Sequence, residues 1–211
     1  MEDFKKLIQI PINSINLEGS LIIPKIAKAI VIFVHGSGSS RKSPRNNYVA
    51  KILNDMGFAT LLFDLLTEKE DENYEMRFDI SFLTKRLIVA TKWLEIQENT
   101  KKLSMGYFGA STGAAAALDA ASKLSIIDAI VSRGGRPDLA SNLPDVKTPT
   151  LLIVGGNDLE VLDMNRSAME KLNSIKKLEI VANATHLFEE EGALDEVAKL
   201  TGGWFKKYLE T

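Results

Sequence analysis

Five residues, Gly109-Ala110-Ser111-Thr112-Gly113, constrain this chain more than any others. They lie between an apolar, strand-like segment at 103–108 and a run of small residues at 114–117 that opens a helix. The form G-x-S-x-G places a serine on a sharp strand-to-helix turn. Such a turn holds the serine backbone in a sparsely populated conformation. It also brings strand and helix so close that a side chain two residues before or after the serine would collide, which is why glycine stands at 109 and 113. The Ser111 hydroxyl is then expected above the strand end, at a helix N-terminus. Free backbone N–H groups and the positive end of the helix dipole there favour a developing negative charge. A short Gly/Ser string also arises by chance, so the rest of the chain must supply a base and an acid.

The pattern around this turn predicts an α/β architecture. Residues 7–12 and 16–23 form two apolar-rich segments joined by Asn13-Ser14, predicting an antiparallel pair ended by Pro24. Residues 29–34 are continuously apolar, as in a strand buried on both faces of a parallel sheet. Further strands are predicted at 58–63, 103–108, 126–131, 150–154 and 178–181. Helical spacing runs through Tyr48, Val49, Ile52, Leu53 and Met56 until Gly57, and through Phe78, Phe82, Leu83, Leu87, Ala90, Trp93 and Leu94. The elbow helix continues through Leu118, Ala121 and Leu124. Two more helices are predicted at 161–172 and through Val197, Leu200, Trp204, Phe205 and Leu209, the latter weakened by Gly202-Gly203. The acidic stretch 65–73 reads as an irregular exposed loop. Two strands followed by alternating strands and helices imply a mostly parallel eight-stranded sheet with helices on both faces and right-handed crossovers. The 211 residues, without repeat or linker, fit one domain spanning 1–211.

Composition narrows the chemistry. The formal charge of −2 gives no basic excess for nucleic-acid binding. No apolar run reaches the length of a membrane span. The start, Met1-Glu2-Asp3-Phe4-Lys5-Lys6, lacks the basic and apolar regions of a secretion signal, which favours the cytoplasm. With no cysteine, disulfides, thiolate metal sites and a cysteine nucleophile are excluded. Only two histidines, His35 and His186, argue against a zinc site built on imidazoles.

Loops at the carboxyl ends of parallel strands share one sheet edge, where α/β proteins bind ligands. Four polar loops qualify: 35–40, the elbow, the loop holding Asp158 and the loop holding His186. A serine hydroxyl needs a base within hydrogen-bond reach, and the base needs a carboxylate to fix its tautomer. Ser111, Asp158 and His186 occur in that order, each after its own strand, and His186 is the only histidine downstream of the elbow. Asp158 has a competing structural role as a helix cap, and Glu160 and Asp163 are alternative acids. The backbone N–H groups of Thr112 and Ser37 are the expected pair aimed at an oxyanion. His35 is then a structural residue ordering its loop. Gly36-Ser37-Gly38 lacks the third glycine of G-x-G-x-x-G, and no G-x-x-x-x-G-K-[ST] occurs, so nucleotide binding is not indicated. Arg133 and Arg136 flank two glycines at the same edge and are candidates to bind an acidic substrate, the alternative being a solvated or paired arginine. Arg41 and Arg45 are further candidates.

Together these residues resemble the α/β-hydrolase superfamily over nearly the whole chain, and most closely its small dienelactone-hydrolase-like branch, which has little or no cap domain. The stretches carrying the branch likeness are 35–41, 63–67 and 132–139. The resemblance implies no metal and no organic cofactor. Dienelactone hydrolases proper use a cysteine nucleophile, whereas this chain has serine there, so the resemblance points to another small ester, lactone or thioester. Transfer of the acyl group to an acceptor other than water, peroxide included, is a rival reading. A non-catalytic binding protein on the same scaffold is another. The oligomeric state is open.

Overall fold

The computed structural model describes residues 4–209. A hairpin opens it: β1 (Phe4–Ile12) and β2 (Ile15–Ile23) pair antiparallel with Ile12 opposite Ile15, and Asn13 turns the chain at a φ of 52°. Six strands follow: β3 (Ala29–Val34), β4 (Ala59–Phe63), β5 (Ser104–Ala110), β6 (Ile127–Arg133), β7 (Thr150–Gly155) and β8 (Lys176–Val181). All eight form one sheet in the order β1-β2-β4-β3-β5-β6-β7-β8. β2 meets β4 antiparallel, and every pairing from β4 through β8 is parallel. The two rims differ from the centre. β1 exposes Lys5, Lys6 and Leu7, and β8 exposes Lys176, Lys177 and Ile180.

Hydrophobic alternation along the central strands divides the core in two. Ile30, Ile32 and Val34 of β3 point to one face, with α3 (Ile80–Ile96) and α4 (Thr112–Ala121). Val31 and Phe33 point to the other, with α1 (Pro44–Asp55) and α6 (Ala193–Leu209). Burying each such side chain contributes about 1.5–3 kcal/mol, so strands apolar on both faces hold the sheet's centre. A short α2 (Glu68–Asp71) follows β4, and α5 (Leu159–Lys171) connects β7 to β8.

Several element bounds differ from the sequence expectation, each for a local reason. α1 begins at Pro44, four residues before its apolar stripe, because proline fits the first helical position and the Ser43 hydroxyl accepts the Asn46 N–H. The loop expected at 65–73 contains α2, nucleated by a reciprocal capping box between Thr67 and Glu70. β6 runs on through Ser132 and Arg133, which the sequence placed in a loop. α6 is unbroken at Gly202-Gly203. Gly202 faces α1 so closely that a Cβ there would lie 2.5 Å from the Met56 methyl carbon, while nothing lies within 4 Å of such an atom at Gly203.

Gly203 therefore costs helix stability with no packing return. Gly203→Ala is expected to raise the unfolding free energy by about 0.5–1 kcal/mol, measured by urea denaturation. Gly202→Ala should not share the gain, since Met56 must move aside.

Candidate active site

The elbow follows from clearances. Ser111 has φ 50° and ψ −124°, a conformation costly for a residue with a side chain. Its N–H donates to the Arg133 carbonyl at 3.2 Å, and its own carbonyl accepts the Arg136 N–H at 3.1 Å. A Cβ at Gly113 would lie 2.2 Å from the Val34 carbonyl oxygen and 2.5 Å from that of His35. At Gly109 it would lie 2.5 Å from the Ala114 Cα. Only glycine at both positions lets α4 start directly against the ends of β3 and β5.

Asp158 and His186 are brought together. The His186 Nδ1 is 2.7 Å from Asp158 Oδ2, with Asp158 nearly covered and His186 about a third exposed. Asp158 occupies the N-cap position of α5, yet its side chain makes no capping bond there. The carboxylate faces the imidazole instead. Of the alternative acids, Asp163 pairs with Arg166. Gly134 links the histidine loop to the elbow: a Cβ there would lie 3.5 Å from His186 Cε1, and the preceding residue, Arg133, holds the Ser111 N–H. Among the described residues the Ser111 hydroxyl makes no hydrogen bond, to His186 or to any other group.

The loop after β3 is tied down from both sides. His35 is buried, its Nε2 accepts the Leu65 N–H at 3.0 Å, and its Nδ1 lies 3.0 Å from the Gly36 carbonyl oxygen. Those partners assign the proton to Nδ1 and leave the ring neutral. Burial lowers its pKa below the usual 6.5, against smaller opposing effects of the Gly36 carbonyl, Asp64 and Asp71. Ser37 departs from expectation in one respect. Its N–H is not free but donates to the Thr112 side-chain oxygen at 2.9 Å. No pattern in the sequence signals that contact.

The four arginines fall into different environments. Arg136 is matched by both oxygens of Asp138, at 2.9 and 2.8 Å. Arg41 is held by Glu18 and Asp64, and Arg45 by Glu189. Arg133, 7% exposed, has no carboxylate partner among the described residues. It donates to Asn46 Oδ1 at 3.1 Å and lies over the Phe188 ring. Burial, then the neighbouring Arg45 charge, lower its pKa to about 10. A cavity of about 520 Å³ opens beside the 35–40 loop, with Glu18, Arg41, Asp64 and Lys69 in its wall. Neither Ser111 nor His186 lines it. Among the described residues, no group of three or more His, Cys, Asp or Glu side chains could hold a metal ion. No helix among them is long and apolar enough to cross a membrane.

A sheet of this order, with a strained serine on the turn after β5 and an Asp–His pair after β7 and β8, has the α/β-hydrolase fold. The chain belongs to the dienelactone hydrolase family, whose model matches residues 17–209. A dienelactone hydrolase from Anabaena variabilis is 52% identical and superposes with a TM-score of 0.96, covering 99% of this chain and 100% of that one. An esterase of Pyrococcus furiosus shares the fold at 19% identity, with a TM-score of 0.81 over 98% of this chain and 92% of its own. Proteins from two strains of Mycobacterium tuberculosis, proposed to be phosphoribosyl transferases, are 52% identical over 204 residues. That match takes in 96% of this chain but 46% of theirs, so the chain spans about half their length.

The buried His35 gives stability a direction with pH. The unfolded chain takes up its proton near 6.5, the folded chain only at lower pH. Between those values the unfolded state holds more protons, so this contribution is complete above 6.5 and is lost as pH falls through the folded-state value. The urea midpoint should fall as the pH is lowered from 7.5 to 5.5. His35→Gln, which takes up no proton, should flatten that slope.

Proposed function

We propose that this chain is a serine hydrolase cleaving a small ester, lactone or thioester through an acyl-enzyme on Ser111. The observation that carries the reading is the 2.7 Å contact between Asp158 and His186 at the sheet edge where the elbow presents Ser111. Membership of a hydrolase family supports it. The transferase description belongs to proteins about twice as long, of which this chain matches about half, and carries no weight for the matched part.

The chemistry follows from the side chains. Ser111 Oγ attacks the carbonyl carbon while its proton passes to His186 Nε2, and the carbonyl electron pair moves onto oxygen. Asp158 holds the Nδ1–H of the ring and stabilises the imidazolium that forms. Collapse of the tetrahedral adduct breaks the bond to the leaving group, which takes the proton from His186. Water then repeats the sequence on the acyl-enzyme, its proton going to His186 and the second collapse returning a proton to Ser111. Ser111→Ala is expected to reduce turnover of p-nitrophenyl acetate to background with an unchanged circular dichroism spectrum. Asp158→Asn should lower kcat by about 10²–10⁴-fold. A fully active Ser111→Ala would end the proposal.

Within this reading Arg133 is the better of the two candidate arginines for an acidic substrate, because Asp138 already neutralises Arg136. A buried guanidinium without a carboxylate favours an incoming anion. Replacing Arg133 by Gln should raise KM for esters bearing a free carboxylate more than for their neutral counterparts, in steady-state assays of both. Equal changes for both would assign Arg133 a purely structural role.

A further inference from the structure

We propose that Thr112 supplies both donors of the oxyanion hole, its backbone N–H and its side-chain hydroxyl, with the Ser37 N–H polarising that hydroxyl instead of touching the oxyanion. The proposal rests on the reading of Ser111 as nucleophile and changes which groups stabilise its adduct.

The Ser37 N–H has a single proton, and it is directed at Thr112 Oγ1 across 2.9 Å. An N–H so engaged is not available at full strength to a second acceptor. Oγ1, having accepted that bond, retains its own proton, which must point away from Ser37 N. Among the described residues the Thr112 hydroxyl donates to no acceptor. Thr112 is only 2% exposed, so bulk water does not readily take that bond either. A buried hydroxyl proton without a partner is costly unless something arrives to accept it.

The place it adjoins is where the adduct forms. Gly36 approaches the elbow so closely that a Cβ there would lie 2.9 Å from Ser111 Cβ and 3.6 Å from Ser111 Oγ. The Gly36–Ser37 segment therefore borders the nucleophile on one side and Thr112 Oγ1 on the other. Thr112 is also the first residue of α4, so its backbone N–H has no partner within the helix and lies at the positive end of the helix dipole. Both donors thus come from one rigid residue. The N–H of Ser37 strengthens the hydroxyl as a donor, since hydrogen bonds in a chain polarise one another. An O–H facing an oxyanion also makes a shorter, stronger bond than one between neutral groups.

The test compares Thr112→Val, Thr112→Ser and Thr112→Ala. Valine keeps the shape and the backbone N–H but removes the hydroxyl; serine keeps the hydroxyl. The expected result is a loss of about 10²–10³ in kcat for Thr112→Val with little change in KM, the signature of a lost oxyanion donor. Affinity for a boronic acid that forms a tetrahedral adduct on Ser111 should weaken in parallel, and Thr112→Ser should retain most of both. If the Ser37 N–H were the direct donor, removing Oγ1 would free it, and an unimpaired or faster Thr112→Val would overturn the proposal. Labelling of the wild-type protein with a fluorophosphonate separates the two levels. A labelled, active wild type beside an equally active Thr112→Val ends the relay alone, whereas an unlabelled, inactive wild type ends the nucleophile and the relay together. Should Thr112→Val fail to fold by circular dichroism, Thr112→Ala against Thr112→Ser makes the same comparison without the apolar branch.

Discussion

The contact on which the site depends is the one between the first turn of α4 and the end of β3. A hydrogen is all that fits between Gly113 and the carbonyls of Val34 and His35. Because the helix starts against those carbonyls, Thr112 reaches Ser37 and Ser111 borders Gly36. His35, whose carbonyl forms part of that contact, uses its ring to hold the loop after β4 through Leu65. One close approach thus sets the relative position of three strand ends. The strained backbone of Ser111 is sustained by the bonds around it, from its N–H to Arg133 and from the Arg136 N–H to its carbonyl.

The second half of the site involves a local sacrifice. Asp158 stands where a capping side chain ordinarily satisfies the start of a helix, a role worth about 1 kcal/mol. Its carboxylate is turned to His186 instead, and α5 begins without that bond. Such conflicts between local preference and observed geometry concentrate at functional positions. The same holds for Arg133, which is buried with an amide oxygen and an aromatic ring where a carboxylate would ordinarily stand.

What the sequence made legible was whatever its residues determine over short range. Apolar-rich segments marked all eight strands, and the elbow glycines marked the turn, because a missing side chain there has a single steric cause. The order of Ser111, Asp158 and His186 named the candidates, and the structure sets two of them in contact while the Ser111 hydroxyl makes no hydrogen bond among the described residues. Less visible were features that depend on a partner far along the chain. The Ser37–Thr112 bond joins residues 75 apart, and nothing near either announces the other. The glycines after Arg133 point to a loop there, whereas pairing with β7 carries β6 two residues further and draws the side chain inward. The first turn of α1 was hidden because its polar residues, Arg45 and Asn46, serve loop and strand partners instead of an apolar stripe.

The rims of the sheet bear on how copies of this chain can meet. Any open strand offers unsatisfied amides and carbonyls to a passing neighbour. Here one margin carries Lys5 and Lys6 and the opposite margin Lys176 and Lys177. Lateral extension by a second molecule would crowd ammonium groups along the new seam, and β8 holds part of its charge in place through the Lys177–Glu179 pair. Growth into ribbons is thereby discouraged at both ends.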